Sequence, residues 1–304
     1  MRKAASIFLA ALGLMATAAG TASAAPTVKF KAAAVPIHGF KHTGNIYGAG
    51  AAVEAEYQIG GHEYFGGPAP LKHINVVLPS GVKIHTKGFT TCAVKLLQLQ
   101  HEPKSCPGAS HAGPVGTVFG TVKLGRNCQE AGEQGAIPSS EVATCIAEEA
   151  AEERGGPPKK FNTGFAAVSE HGTITPFYLP GGLGFFTYGA SPVQLQIFSG
   201  GNYTNVNGVG SSGPAFHANV PLVESLPGAP DASVERIDVK VGGARKSGKK
   251  THYYGTLPKK CPKHYLPVAT ELTFWSVEYP LGSGVFLPET HVKAEYHAPC
   301  PKRH

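Results

Sequence analysis

Apolar side chains recur at every second position in nine separate stretches of this chain. Val28, Phe30, Ala32 and Ala34 alternate with Lys29, Lys31 and Ala33, and Val53, Ala55, Tyr57 and Ile59 alternate with Glu54, Glu56 and Gln58. The same period runs through Ile74 to Leu78, Val118 to Leu124, Val193 to Ile197, Phe216 to Leu222, Ile237 to Val241, Leu272 to Phe274 and Val292 to Tyr296. Successive side chains of a strand point to opposite faces, so each stretch has one apolar and one wetter face. Antiparallel sheets with one solvated side read this way, whereas buried parallel strands are apolar on both faces. Turn chemistry separates the stretches at Pro79-Ser80-Gly81, Gly181-Gly182, Asn207-Gly208 and Gly242-Gly243. Packing two such layers face to face is the economical way to bury the apolar sides. The sequence therefore predicts an all-β, antiparallel, jelly-roll-like β-sandwich in one domain over residues 25–304.

Helical signals are few. Ser139 to Arg154 is the strongest, with Pro138 before it and Ser139 or Ser140 as candidate caps; Ala93 to Gln100 is a shorter candidate behind Cys92. Gln129 to Arg154 holds seven glutamates and one arginine, which reads as a solvated acidic insertion at about residues 129–156.

The chain begins MRKAASIFLAALGLMATAAGTASAAP: a basic start, a short apolar run and the small-x-small site Ala22-Ser23-Ala24. That is the pattern of a secretory signal peptide over residues 1–24, with cleavage expected after Ala24. The apolar run is shorter than the roughly 20 residues a spanning helix needs. Leu287-Pro288-Glu289-Thr290 matches the start of a sortase signal, but His291 follows and no apolar tail does. Losing Arg2 and Lys3 with the leader leaves 25 basic against 20 acidic side chains, a mild lean toward anionic polymers and too little to indicate specific nucleic-acid binding. The expected location is extracellular.

Six cysteines follow the leader: Cys92, Cys106, Cys128, Cys145, Cys261 and Cys300. An even count in an oxidising compartment makes disulfides the default. Zinc sites favour two ligands within two to four residues, and neither that spacing nor a redox C-x-x-C occurs. Six cysteines allow about fifteen pairings; sequential neighbours, each closing a local loop, are favoured. Cys106, Cys261 and Cys300 each precede proline, which biases them toward extended backbone and away from a thiolate at a helix start.

The segments LPSGVKIHTKGFTTC…SCPGASHAGPVGTV, LPKKCPKHYLPVATELTF and HVKAEYHAPCPKRH resemble those of a group of exported actinobacterial proteins. In that group a Cys…Cys-Pro pair precedes a glycine-led strand and a second Cys-Pro comes late in the chain. The resemblance spans most of residues 70–300 and implies a β-sandwich without an assigned activity; the acidic insertion with Cys128 and Cys145 departs from the pattern.

Signals for chemistry are sparse. No G-x-S-x-G nucleophile elbow and no H-E-x-x-H occurs. GVGSSG, Gly208 to Gly213, has dinucleotide-loop spacing but lies in a Gly/Ser/Asn-rich turn with no helix signal after it. Glu54 and Glu56 share a strand face at roughly 6.6 Å between Cα atoms, near the separation a glycosidase nucleophile and acid need. Gln58 ends that stripe, and a solvated face carries such pairs routinely. Only two aspartates, Asp231 and Asp238, are present, and His38 and His42 flank Gly39 without a helical period. No metal or other cofactor is indicated.

Lys240 to His264 holds eight lysines and arginines and no acid, with Tyr253 and Tyr254 interleaved. Charge and stacking together can grip an anionic polymer, which makes Lys246, Lys249, Lys250, Tyr253 and Tyr254 the candidate binding residues for a cell-wall or other extracellular polymer. Tyr178 to Tyr188 and Tyr203 are candidate aromatic platforms, while Trp275 sits in a strand pattern that reads as core. The resulting expectation is a secreted, non-catalytic β-sandwich associating with the cell envelope or a glycan. The alternatives are a jelly-roll glycan hydrolase using Glu54 and Glu56, or a purely structural surface protein.

Overall fold

The structure, a computed structural model, describes residues 25–37, 40, 47–99, 103–134, 137–157, 160, 164–208, 213–262 and 264–300. The leader and its cleavage position, His38, His42, Lys263 and most of the GVGSSG stretch lie outside the described residues.

The alternating stretches form strands β1 (Thr27–Val35), β2 (Ala52–Gly60), β3 (Leu71–Val77), β4 (Lys83–Ile84), β5 (Gly116–Gly125), β6 (Phe165–Leu179), β7 (Gly182–Ser191), β8 (Leu195–Thr204), β9 (Ala215–Asn219), β10 (Ser233–Val241), β11 (Ala244–Ser247), β12 (Lys250–Tyr253), β13 (Gly255–Thr256), β14 (Tyr265–Phe274) and β15 (Thr290–Pro299). Eleven of them make one sheet in the order β1-β2-β10-β5-β6-β7-β8-β9-β3-β14-β15, antiparallel throughout. β15 lies alongside β1, so the sheet wraps almost into a barrel. The two layers that the alternation calls for are opposite walls of this one sheet. β15 and β1 are the two ends of the ladder, and no backbone pairing joins them among the described residues.

Register keeps the apolar set on one side. Val28, Phe30 and Ala32 of β1 face Ile59, Tyr57 and Ala55 of β2, and Ile237 and Val239 of β10 continue the row opposite Tyr57 and Ala55. Because the side-chain period is two, all of these point into the barrel. The outer face of the same strands carries ion pairs, Lys31–Glu56 at 3.3 Å and Lys240–Glu54 at 3.2 Å across strands and Arg236–Asp238 at 2.8 Å within β10.

Three disulfides form, each between sequential cysteines, with Cα–Cα distances of 5.2 Å for Cys92–Cys106, 5.6 Å for Cys128–Cys145 and 6.1 Å for Cys261–Cys300. The first holds a short helix, α1 (Val94–Leu99), against the outside of the β6–β7 wall, where Leu97, Phe177, Leu179 and Phe186 make a second apolar cluster. The second pins α2 (Cys128–Glu133) to α3 (Val142–Glu153), and these helices are the acidic insertion. The third ties the loop before β14 to the end of β15. Neither Ser139 nor Ser140 caps α3. A 3-10 turn over Ser139–Glu141 precedes it, with Glu141 N–H donating to the Pro138 carbonyl at 2.9 Å, so the turn itself satisfies that group. The side-chain cap belongs to α2: Asn127 accepts from Glu130 N–H at 2.8 Å, and Glu130 reaches back to Asn127 N–H. Among the described residues no helix is long and apolar enough to cross a membrane.

Candidate functional site

The inward faces enclose a cavity of about 170 Å3 lined from ten of the eleven sheet strands. Its wall is mostly Val, Ile, Leu, Ala and Phe, with Tyr57, Tyr203, Tyr254, Thr187 and Ser199 among them and no Asp, Glu, Lys, Arg or His. Barrel diameter grows with strand number, and about eight strands already give an interior that side chains only just fill. Here eleven strands carry many small inward residues, Ala32, Ala55 and Ala218 among them. Their side chains leave space at the axis. Val76, Phe185, Val239 and Val241 accordingly keep accessible surface although they point inward, which a close-packed core would remove.

Two smaller hollows border the central cavity. A hollow of about 60 Å3, with Glu170 in its wall, lies at the end marked by Val122, Gly189 and Val234 and shares Val118, Thr187 and Val220 with the central cavity. A hollow of about 50 Å3 lies at the opposite end, by Leu266 and Ala298, and shares Ala51, Ile84 and Val268. Registers along β2, β10 and β5 place these two ends apart.

Aromatic rings close the Leu183 end. Tyr178 and Tyr254 stand 4.5 Å apart between ring centroids, Phe89 packs on both at 4.9 and 5.3 Å, and Tyr203 meets Phe216 at 4.9 Å. Tyr254 Oη donates to the Gly182 carbonyl at 3.1 Å, tying the strand after the basic hairpin to the start of β7. Burial pushes the Tyr178, Tyr203 and Tyr254 phenols far above their ordinary range, so they stay neutral.

The hydroxyls facing this lumen divide into two groups. Tyr57 is bonded to Thr270 at 3.3 Å, Tyr254 to Gly182, and Tyr203 to Tyr254. Thr187 of β7 and Ser199 of β8 also line the cavity, and neither hydroxyl has a partner among the described residues.

The basic candidates fall on the β11–β12 hairpin, where Lys246, Lys249 and Lys250 are exposed around the Gly248 turn. Tyr254 is 3% exposed and belongs to the lumen wall. The Tyr253 ring lies on Gly50, where an added Cβ would stand 1.9 Å from Tyr253 Cδ1. The hairpin thus offers charge outward; Tyr254 is committed inward, while Tyr253 is half-buried against Gly50. Of the candidate platforms, Tyr178 and Tyr203 are part of the same internal cluster. Trp275 sits one residue past β14, half-buried beneath the Lys72 ammonium at 4.7 Å.

Glu54 and Glu56 do share the outer face of β2, beside a groove of about 480 Å3. Each is ion-paired, Glu54 with Lys240 and Glu56 with Lys31 and with Arg236 at 3.8 Å. Gln58 and Lys31 hold the Glu56 carboxyl below its ordinary range, opposite to the raised value a general acid needs. No group of three or more His, Cys, Asp or Glu side chains could hold a metal ion among the described residues.

A second polar cluster lies outside the wall. Lys123, fully buried, donates to Thr121 Oγ1 at 2.7 Å and Ser233 Oγ at 3.0 Å, and its ammonium stands 5.7 Å from the Tyr64 ring. Burial brings its pKa down to about 8. Ser233 passes its own proton to the Pro68 carbonyl at 2.6 Å, and Ser225 accepts the Lys123 N–H at 2.7 Å. Loops on both sides are thereby stitched to β5. The alternation puts Lys123 on the wetter face of β5; only the loops that fold over it make it buried, and those follow from tertiary structure.

No protein-family model, no curated protein and no solved structure matches the chain.

Proposed function

We propose that the protein is an exported, non-catalytic binding protein whose cargo is a small apolar molecule held in the barrel lumen. The observation that carries this reading is the uncharged apolar cavity lined from ten strands of one wrapped sheet. Interiors are ordinarily packed to the density of organic crystals, and contiguous space of this size is uncommon without use. An engineered apolar cavity of about 150 Å3 stays dry and takes up benzene; the volume here is of that order, with a further hollow at each end. The distribution of polarity supports a water-borne carrier. Lys31, Glu54, Glu56, Arg236, Asp238 and Lys240 lie outside and the apolar set inside, the reverse of a membrane barrel, whose outer band is apolar. Export is favoured by the leader pattern and by three disulfides that clamp the fold. The exposed Lys246, Lys249 and Lys250 add an electrostatic hold on anionic envelope polymers.

The test is uptake of an environment-sensitive apolar dye by the mature protein, repeated with Ala55→Phe, which places a ring in the lumen. The wild type brightens the dye and Ala55→Phe, still folded by circular dichroism, does not. Equal brightening by both would overturn the reading.

A further inference from the structure

Resting on the carrier reading above, we infer that the cargo carries one neutral hydrogen-bonding oxygen, an alcohol or carbonyl on an apolar body, which Thr187 and Ser199 recognise together.

Every other lumen hydroxyl is spoken for. Tyr57 bonds Thr270, Thr270 in turn donates to the Asn75 carbonyl at 2.9 Å, and the Tyr203–Tyr254 pair ends on the Gly182 carbonyl. Among the described residues, Thr187 and Ser199 alone of the hydroxyls that line the cavity have no protein partner. Both residues are half-buried and open to the cavity; once an apolar cargo displaces water there, a hydroxyl without a bond costs free energy, so the pair asks for a ligand atom.

They are also neighbours. Thr187 stands opposite Ile197 and Ser199 opposite Phe185 in the β7–β8 ladder, so the two hydroxyls lie on one diagonal of adjacent strands. Diagonal positions in such a ladder are roughly 7 Å apart between Cα atoms, close enough to flank one ligand oxygen. Alternation turns both inward, while Phe186 and Phe198 point to the cluster outside the wall.

The same wall discriminates by charge. With no lysine, arginine or histidine lining the cavity, an ionised carboxylate or phosphate entering it would lose its hydration and gain no counter-charge. Neutral oxygen compounds fit and fatty-acid anions do not. The hollows at both ends of the lumen suit an elongated body of alcohol or terpenoid-ketone type.

The experiment displaces the apolar dye from the full mature chain with octane, octan-1-ol and octanoate at pH 7. Octan-1-ol binds more tightly than octane, and octanoate is weaker than the alcohol by at least about a hundredfold, the cost of an unpaired charge. In the double variant Thr187→Val, Ser199→Ala the alcohol loses about tenfold, near the worth of a hydrogen bond, while octane is unchanged. An alcohol affinity unaltered by the double variant, or octanoate binding as well as octan-1-ol, overturns the inference and leaves the carrier reading standing. Failure of the wild type to take up dye, octane and alcohol alike overturns the carrier reading itself.

Discussion

The Tyr57 hydroxyl and the Thr270 hydroxyl meet at 3.3 Å beneath the seam where β15 and β1 run side by side without a ladder. Tyr57 belongs to β2, one strand inside one edge, and Thr270 to β14, one strand inside the other. Thr270 spends its proton on the Asn75 carbonyl, so Tyr57 is the donor. A side-chain strap thus closes the barrel where the backbone does not. Tyr57→Phe keeps the ring packed on Phe30 at 4.8 Å and removes only the strap. The expected cost is about 1 kcal/mol in denaturant unfolding. Hydrogen exchange of the β1 and β15 amides should accelerate more than that of β6 and β7. Equal acceleration across the sheet would show that the seam is not where the strap acts.

The disulfides divide by what they clamp. Cys128–Cys145 closes a separation of 17 residues within the two-helix insertion, whose small core of Ala131 and Ile137 is its own. Cys261–Cys300 closes 39 residues and holds the edge strand β15 at its end. Each contributes roughly 3 to 4 kcal/mol on the loop-entropy account, but to different parts. Cys128→Ser with Cys145→Ser should reduce the helical circular dichroism signal and leave dye uptake intact. Cys261→Ser with Cys300→Ser should lower the melting temperature of the barrel and weaken dye retention through the loosened seam. Loss of dye uptake in the first variant would tie the insertion to the lumen and contradict this division.

Much of this architecture is legible in the residues. Alternation marks the long strands and which side of each is apolar, because a two-residue period leaves no freedom once one face is buried. The disulfide pairing follows from loop closure. The acidic helix shows in its composition, although its companion α2, announced by Asn127 and Glu130, is short enough to escape a search for long periodic segments. The lumen is not legible. Ala55 looks the same in a sequence whether it packs against a facing sheet or borders open space, and only the count of strands in one wrapped sheet separates the two. Tyr254 shows the same limit from the other side: next to lysines it reads as a surface ring, yet the turn of one residue from Tyr253 sends it inward.

Gly50 sets the position of that tyrosine pair. A methyl group there would stand 1.9 Å from Tyr253 Cδ1 and 2.5 Å from its Cβ, so the hairpin must move away. Tyr254 would then lose its bond to Gly182 at the closed end of the lumen. Gly50→Ala should cost about 1 to 3 kcal/mol, as overpacking does, and speed dye release. Gly108→Ala, where a methyl meets nothing within 4 Å, is the matched control and should change neither quantity. Indistinguishable melts for the two variants would mean that the hairpin yields without cost.

Lys123 gives the fold a pH dependence of unusual sign. In the folded chain burial brings its pKa to about 8, against the weaker opposing pull of Glu235, Glu63 and Asp231. Unfolded, the ammonium keeps its proton to about pH 10.4. Between those values the unfolded state binds more protons, so stability rises with pH, by up to about tenfold in the folding constant per pH unit. Below about pH 8 the lysine is charged in both states, the burial penalty is present in full, and the slope vanishes. Above about pH 10 the trend reverses, because the buried phenols of Tyr57, Tyr178, Tyr203 and Tyr254 hold their protons in the fold and release them on unfolding. Urea melts at pH 7.5, 8.5 and 9.5 should therefore show the wild type gaining stability, while Lys123→Met, which keeps the side chain's length without its charge, gains none and declines slightly by pH 9.5 as the unfolded phenols begin to ionise. Parallel rises in both proteins would assign the effect to another group.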